Sequence, residues 1–302
     1  MMTRPTLATS LTPRPARQIA GGREIGHLNQ YRCLESWRES GFHVVSVNAA
    51  DEADAVQVAY PDVQVVVAEC DARSLCGRTR IPLSEMIRTL RAAEVAWGGI
   101  ASADARVACP DLLRRIADEG RNGGRAIFLN RADIVHPCDD AGTLDPCGPS
   151  AVLFAVESAA ELDIEPFAVG LPGWGRALAM ALLLAGIHAS YPAGPTLLHL
   201  DHARAWGDDL QHHFFAAFRT RYSPKLAALQ SGEGAHAQAS LEAVADLGRH
   251  AETYADLAAR RPGESGTKKT ARRYRAAYAA AVADLIRDLA VAPPRGGILG
   301  RT

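Results

Sequence analysis

Residues 43–68 read HVVSVNAADEADAVQVAYPDVQVVVA, an apolar β-branched run, a short amphipathic stretch, and a second run with hardly a polar side chain. Runs of this kind predict strands at His43–Asn48 and Val63–Ala68, with a short helix over Asp51–Tyr60 between them. Strands joined by a crossover helix run the same way, so the unit points to a parallel sheet covered on both faces. Upstream, Leu28, Tyr31, Leu34 and Trp37 recur at helical spacing as far as Gly41. Before them lie a weak strand at Thr6–Ser10 and the glycine-rich segment Gly21–Gly26, read as a flexible entry to the helix. Downstream, Pro82 and Ser84 open a helix with Met86, Ile87 and Leu90 on one face, and VAWGGIAS (95–102) is a strand. Pro110–Glu119 is a helix with Pro in its first turn, and RAIFLN (125–130) is another strand. The alternation predicts an α/β fold with a mostly parallel twisted sheet and helices on both faces.

Residues 131–149 (RADIVHPCDDAGTLDPCGP) read as a long polar loop, and loops of that length in a compact domain are usually lids or binding loops. Beyond it come a strand at Ala151–Val156, a Gly/Pro-broken turn (GLPGWG, 170–175), a helix through Ile187 and an apolar strand running into LLHLDH (197–202). From about Ser223 the chain is Ala-rich without strand signals. This divides it into a domain over 1–222 and a helical C-terminal extension over 223–302, whose end frays at Pro293, Pro294, Gly296 and Gly297.

The 302 residues are 48% apolar and 22% charged, enough for a sizeable core and incompatible with wholesale disorder. A formal net charge of −1 gives no global field for polyanions, so phosphate recognition has to be local. The longest apolar stretch, around 177–185, is far short of the roughly 20 residues that span a bilayer, and residues 1–20 have no signal-peptide core. A cytoplasmic protein with no membrane span is expected. The six cysteines form no C-x-x-C pair and read as reduced thiols; a Cys138–Cys147 disulfide would require secretion.

In open α/β sheets ligands sit at the carboxyl ends of parallel strands. Here those ends carry Thr9 and Ser10, Asn48 and Asp51, Asp71 and Arg73, then Ser102 and Asp104. Capping of the next helix explains Asp51 equally well, but the joint placement favours a polar ligand over the sheet. No G-x-G-x-x-G follows the first strand and no Walker A motif occurs, which argues against nicotinamide dinucleotides and P-loop NTPases. A diphosphate neutralised by a hard cation on a carboxylate such as Asp104 suits the pattern. A second cluster holds His199, Asp201 and His202, then Asp208, Asp209, His212 and His213. His199 and His202 would share a face if the segment were helical and could then take zinc, although no third ligand stands at a zinc-motif spacing.

The succession NQYRCLESWRESGFHVVSVNAADEAD (29–54), GGIASADARV (98–107), GRAIFLNRADIV (124–135), FAVGLPGWGRAL (167–178) and LLHLDHARAW (197–206) resembles GT-A-fold glycosyltransferase-like proteins of the nucleotide-diphospho-sugar transferase superfamily, over roughly residues 5–220. The resemblance implies that Asp104, with Ser102 beside it, holds Mn²⁺ or Mg²⁺ on the donor's diphosphate. It also implies that Thr9, Ser10, Asn48 and Asp51 contact base and ribose, and that His199 or His202 completes the metal shell. Two departures stand out. Ala103 and Ala105 flank Asp104, so the acidic motif has one member. The turn where relatives carry an aromatic followed by Asp reads Gly173-Trp174-Gly175-Arg176. Asp133 and Glu157, with Asp139 and Asp140, are the substitutes for the missing general base that an inverting transfer needs.

The leading expectation is therefore a metal-dependent glycosyltransferase using a nucleotide-sugar donor and an unknown acceptor, with residues 131–149 or the 170–176 turn closing over the donor. A second is a catalytically degenerate nucleotide or nucleic-acid binding protein. It would use the same cleft or the basic segment 260–275, where Tyr274 and Tyr278 interleave with Lys268, Lys269, Arg272, Arg273 and Arg275. A third is a zinc-dependent hydrolase built on His199, His202 and an aspartate.

Overall fold

A computed structural model describes residues 4–15, 19–20, 23–109, 111–145, 148–192, 194–201, 206–230, 237–260 and 265–291. The chain forms two compact units, Met1–Asp145 with Pro149–Ala203, and Pro146–Gly148 with Arg204–Thr302.

In the first unit the elements follow in order. β1 is Thr6–Thr9, β2 Ile19–Ala20, β3 Arg23–Glu24, α1 Gly26–Glu39, β4 His43–Asn48, α2 Ala50–Ala59 and β5 Gln64–Val67. Then come α3 Arg73–Cys76, α4 Leu83–Ala92, β6 Trp97–Ala101, β7 Ala105–Val107, α5 Leu112–Arg121, β8 Ala126–Leu129, β9 Arg131–Ile134 and β10 Thr143–Leu144. β11 Ala151–Ala155, α6 Trp174–Leu184, β12 Ala189–Ser190 and β13 Leu197–Leu200 complete it. β2 and β3 pair antiparallel, Ile19 opposite Glu24 and Ala20 opposite Arg23, and α1 starts at Gly26; residues 21 and 22 lie outside the described residues. The helix expected from Pro110 runs from Leu112 through Gly120 to Arg121; Pro110 lies outside the described residues.

The main sheet has the order β12-β8-β11-β6-β1-β4-β5. Every pairing in it is parallel except those of β11, which runs antiparallel to both β6 and β8. The apolar runs read at 6–10, 43–48, 63–68, 95–102, 125–130 and 151–156 supply β1, β4, β5, β6, β8 and β11, and Leu7 and Ala8 of β1 are fully buried between β4 and β6. α1 packs its Cys33–Leu34–Trp37 stripe into the core with Leu7, Phe42, Ile127 and Leu153. Each such large side chain contributes about 1.5–3 kcal/mol of burial. The Trp37 indole N–H also donates to the Ala105 carbonyl at 2.8 Å, tying α1 to the start of β7.

A second sheet, β10-β9-β13-β7, takes two of its strands, β9 and β10, from the segment expected to be a lid. Arg131–Ile134 alternates half-buried and buried, with Ala132 and Ile134 packing against Ile25, Leu198 and Leu200. The connection after β9 is tethered as well. The Asp139 carboxylate accepts from the Val135 and His136 backbone at 3.2 and 2.8 Å, and the Arg32 guanidinium donates to the Pro137 carbonyl at 3.1 Å. A segment with this many fixed backbone groups is a structural part of the domain, not an open loop. Cys138 is a free thiol, and Cys147 lies outside the described residues.

The second unit is helical, as its composition indicated, with α7 Asp208–Gln230, α8 Gln238–Arg260 and α9 Ser265–Val291. Ser223, where the composition changes, lies inside α7, which continues through Pro224. Phe218, Tyr222 and Tyr278 form edge-on ring contacts at 4.7 and 6.3 Å. Gly248 lets α8 approach closely, since a Cβ there would stand 3.2 Å from both Arg219 and Tyr278. The chain end at 293–297 lies outside the described residues, and no described helix is long and apolar enough to cross a membrane.

Candidate functional site

β6 ends at Ala101 and the chain turns through Ser102–Asp104 into β7, so these residues bridge the carboxyl edge of one sheet and the start of the other. The Ser102 N–H donates to the Ser150 carbonyl at 3.2 Å and the Ala105 N–H closes the turn on the Ser102 carbonyl at 3.2 Å. The Ser102 hydroxyl donates to Oδ1 of Asp104. Oδ2 of the same carboxylate lies 3.2 Å from Nε2 of His199, and the Asp104 side chain is 34% exposed.

His199 is brought there by register. It stands opposite Ala105 of β7 on one side and opposite Asp133 of β9 on the other. Directly opposed side chains share a face of the sheet. Accordingly Nδ1 of His199 lies 3.0 Å from Oδ1 of Asp133. The imidazole is thus clasped between two carboxylates. Burial discourages charge on it, but the charge and hydrogen bond of Asp104 and the hydrogen bond of Asp133 outweigh that and push its pKa up to about 9. Asp133 moves the other way. Burial would raise its pKa, yet the His199 hydrogen bond and the Arg131 charge hold the carboxyl below its usual value.

Arg131 anchors the back of this arrangement, with Nε 3.0 Å from Asp133, Nη2 2.8 Å from Asp145 and Nη1 3.2 Å from the Ser150 hydroxyl. Neither Arg131 nor Asp145 was singled out from the sequence. The signal for Arg131 was its two-residue spacing from Asp133 in a stretch that alternates; Asp145 offered none.

The remaining expected residues divide. Thr9, Asn48, Asp51, Asp71, Arg73 and Ser102 do follow parallel strands at one edge of the main sheet, with the partly exposed Ser10. Thr9 and Asn48, however, are buried and serve the fold. The Thr9 hydroxyl donates to the Ala101 carbonyl at 3.0 Å, and the Asn48 amide donates to the Leu11 carbonyl at 2.8 Å while its oxygen accepts from the Ser46 hydroxyl at 2.6 Å. Asp51, Asp71 and Arg73 make an exposed cluster, with Arg73 2.9 Å from Asp51 and its backbone N–H 2.7 Å from Asp71. Glu157 is at the wrong end. Because β11 is antiparallel, with Ala151 opposite Ala101 and Ala155 opposite Trp97, the residue after it emerges at the amino edge, where Glu157 pairs with Arg125 in solvent.

The chain's architecture also has counterparts. No protein-family model matches it, and no curated protein matches it. Among solved structures it is similar to S. aureus TarS 1–349 in complex with UDP-GlcNAc, with a TM-score of 0.52 and 10% identity over 95% of this chain and 90% of that one. The chain has a GT-A-like fold. Weaker similarity extends to the inositol-1-phosphate CTP transferase of T. maritima, with a TM-score of 0.42, 11% identity and coverage of 72% of this chain and 98% of that one. A CMP:2-keto-3-deoxy-manno-octonic acid synthetase complexed with CTP gives 0.37, 11%, 74% and 100% in the same order.

Within this GT-A-like fold the donor chemistry at the β6–β7 turn can be tested against a metal. A hard divalent cation needs only one or two protein carboxylates when substrate phosphates supply further oxygens, and the part-exposed Asp104 meets that requirement. His199 does not join it as the ring stands, because both nitrogens face carboxylates. His202 lies outside the described residues. Among the described residues, no group of three or more His, Cys, Asp or Glu side chains is arranged to hold a metal ion, so the three-ligand set of a zinc site is not assembled there. At the 173–176 turn, a Cβ on Gly175 would stand 2.0 Å from the Pro149 carbonyl oxygen, which is why this turn carries glycine where an acidic side chain was sought.

Proposed function

We propose that the chain transfers a sugar from a nucleotide-diphosphate donor, with Asp104 as the protein's link to the donor through Mn²⁺ or Mg²⁺. The observation that carries this reading is the Asp104 carboxylate itself. It stands at the carboxyl end of β6, held on one oxygen by Ser102 and on the other by His199, and remains a third open to solvent. A carboxylate fixed in this way costs little reorganisation when a cation and a diphosphate arrive. The cation, when bound, would neutralise charge building on the departing nucleoside diphosphate. His199 holds and orients Asp104, Asp133 holds the far side of the ring, and Arg131 holds Asp133.

Asp133 is poorly suited to be the general base. Its Oδ1 already faces both His199 and Arg131 at 3.0 Å, and its depressed pKa makes it a weak proton acceptor. Together with the crowding at Gly175, this supports a second reading, a donor-binding protein of the same fold without base-assisted transfer. The deciding experiment is a thermal-shift screen of the full chain against nucleoside diphosphates and nucleotide sugars, with and without Mn²⁺, for wild type and Asp104→Ala. A nucleotide sugar that stabilises wild type more in Mn²⁺, with the increment lost in Asp104→Ala, supports the reading; binding indifferent to both overturns the role of Asp104. Turnover of the stabilising donor then separates transferase from binding protein.

A further inference from the structure

Residues 260–275 carry seven Lys and Arg against the single acid Glu264, in a chain whose net charge is −1. Charge is segregated here, and the structure shows how it is presented. Lys268, Lys269, Arg272 and Arg273 are all exposed on α9. Their spacing of one, four and five residues sets two pairs on one face, about 6 Å apart along the axis. Arg272 is tied to Asp208 of α7, with Nε 2.7 Å from Oδ2, and Arg275 lies 3.4 Å from the same carboxylate. Among the described residues, no carboxylate lies within salt-bridge reach of Lys269 or Arg273.

The surroundings say what kind of partner this face suits. No large apolar side chain is exposed on α9 among the described residues, so the face lacks the apolar half that an interfacial membrane helix buries. The tyrosines expected to stack on bases are also engaged. Tyr278 is buried, and Tyr274 lies against Tyr254 at 4.9 Å and His250 at 5.3 Å, nearly parallel to both rings. What is left is positive charge at a spacing that can follow a charged backbone. We infer that the Lys268–Lys269–Arg272–Arg273 face binds the sugar-phosphate backbone of nucleic acid without reading its bases. Each strand of a duplex carries one phosphate per 3.4 Å or so of helix axis, and a flexible single strand can bring successive phosphates to both Lys/Arg pairs.

The test uses the full chain and fluorescence anisotropy with homopolymeric dT and dA oligonucleotides of one length, titrated across salt. Three phosphate contacts predict a log–log salt slope of about −2 for single strands, the same for both sequences. Lys268→Glu, Lys269→Glu and Arg273→Glu combined should weaken binding at least ~10-fold and flatten the slope. Arg114→Glu, an exposed arginine of the other unit paired with Asp111, should change neither. Circular dichroism confirms that the triple variant keeps its helices. Absent or salt-independent binding in wild type, equal binding by the triple variant, a clear dT-over-dA preference, or tighter binding to polyglutamate or anionic vesicles than to either oligonucleotide would each overturn the inference.

Discussion

Across the parallel pairing of β9 and β13, Asp133 and His199 stand directly opposite one another, carboxylate oxygen to ring nitrogen at 3.0 Å. The contact joins positions 66 residues apart and is 6% exposed at the histidine. Removing the ring would leave Asp104 and Asp133 without the cation between them. His199→Ala is therefore expected to lower unfolding free energy by about 2–3 kcal/mol in urea titrations, below the full cost of a broken buried pair because both acids are partly solvated. His199→Gln, which keeps a donor, should lose less. A loss below about 0.5 kcal/mol in His199→Ala would mean that the clasp behaves as an ordinary surface pair.

Gly175 provides a packing test. Ala at this position would drive its Cβ onto the Pro149 carbonyl, 2.0 Å away, and backbone cannot yield as a flexible side chain does. A destabilisation of about 1–3 kcal/mol is expected, read as a drop in melting temperature. Gly175→Asp should be worse and should not create an active base. An unchanged melting temperature in Gly175→Ala would show that the turn is slack.

Asp208 sets a pH dependence. Hydrogen bonding to Arg272, with the charges of Arg272 and Arg275, lowers its pKa in the folded chain. A depressed folded pKa contributes stability that is present above the unfolded value of 3.8 and is lost as pH falls through the folded value. Asp208→Asn should thus remove part of the difference in stability between neutral and strongly acidic pH, by a small amount because the carboxylate is 35% exposed. Parallel pH–stability curves for the two proteins would contradict this.

Glu157 should be dispensable at the site. Glu157→Gln breaks only its solvent-exposed pair with Arg125, so nucleotide-sugar binding should be unchanged and stability altered by less than about 0.5 kcal/mol. Loss of donor binding in this variant would move the site to the other edge of the sheet.

The sequence made some of this legible and hid the rest for physical reasons. β4, β6 and β8 are buried strands, so their apolar runs announce them; β5 is equally apolar although it is the half-exposed edge strand, and the residues after all four lie at one edge because the strands share a direction. Strand direction itself leaves no mark on composition. β11 is as apolar as its neighbours, so Glu157 was expected at the site although the reversed strand carries it away. β9 was hidden by the prolines and glycines that follow it, despite the alternation of Arg131, Ala132, Asp133 and Ile134. Asp104 and His199 were both identified, but as joint metal ligands. Only their register with Asp133 shows the ring to be occupied on both edges.

The reversed strand also redirects where variation can act. In a uniformly parallel sheet, the segment leaving each strand lies at the carboxyl edge; at β11 it is the segment arriving. Ser150 touches Ser102 through its carbonyl and Arg131 through its hydroxyl, and the Pro149 carbonyl crowds Gly175. Two consecutive residues thereby link the Asp104 turn, the Arg131 anchor and the start of α6. Under the proposed donor-binding role, libraries meant to alter donor choice have more leverage at positions 149 and 150 than anywhere along 156–159.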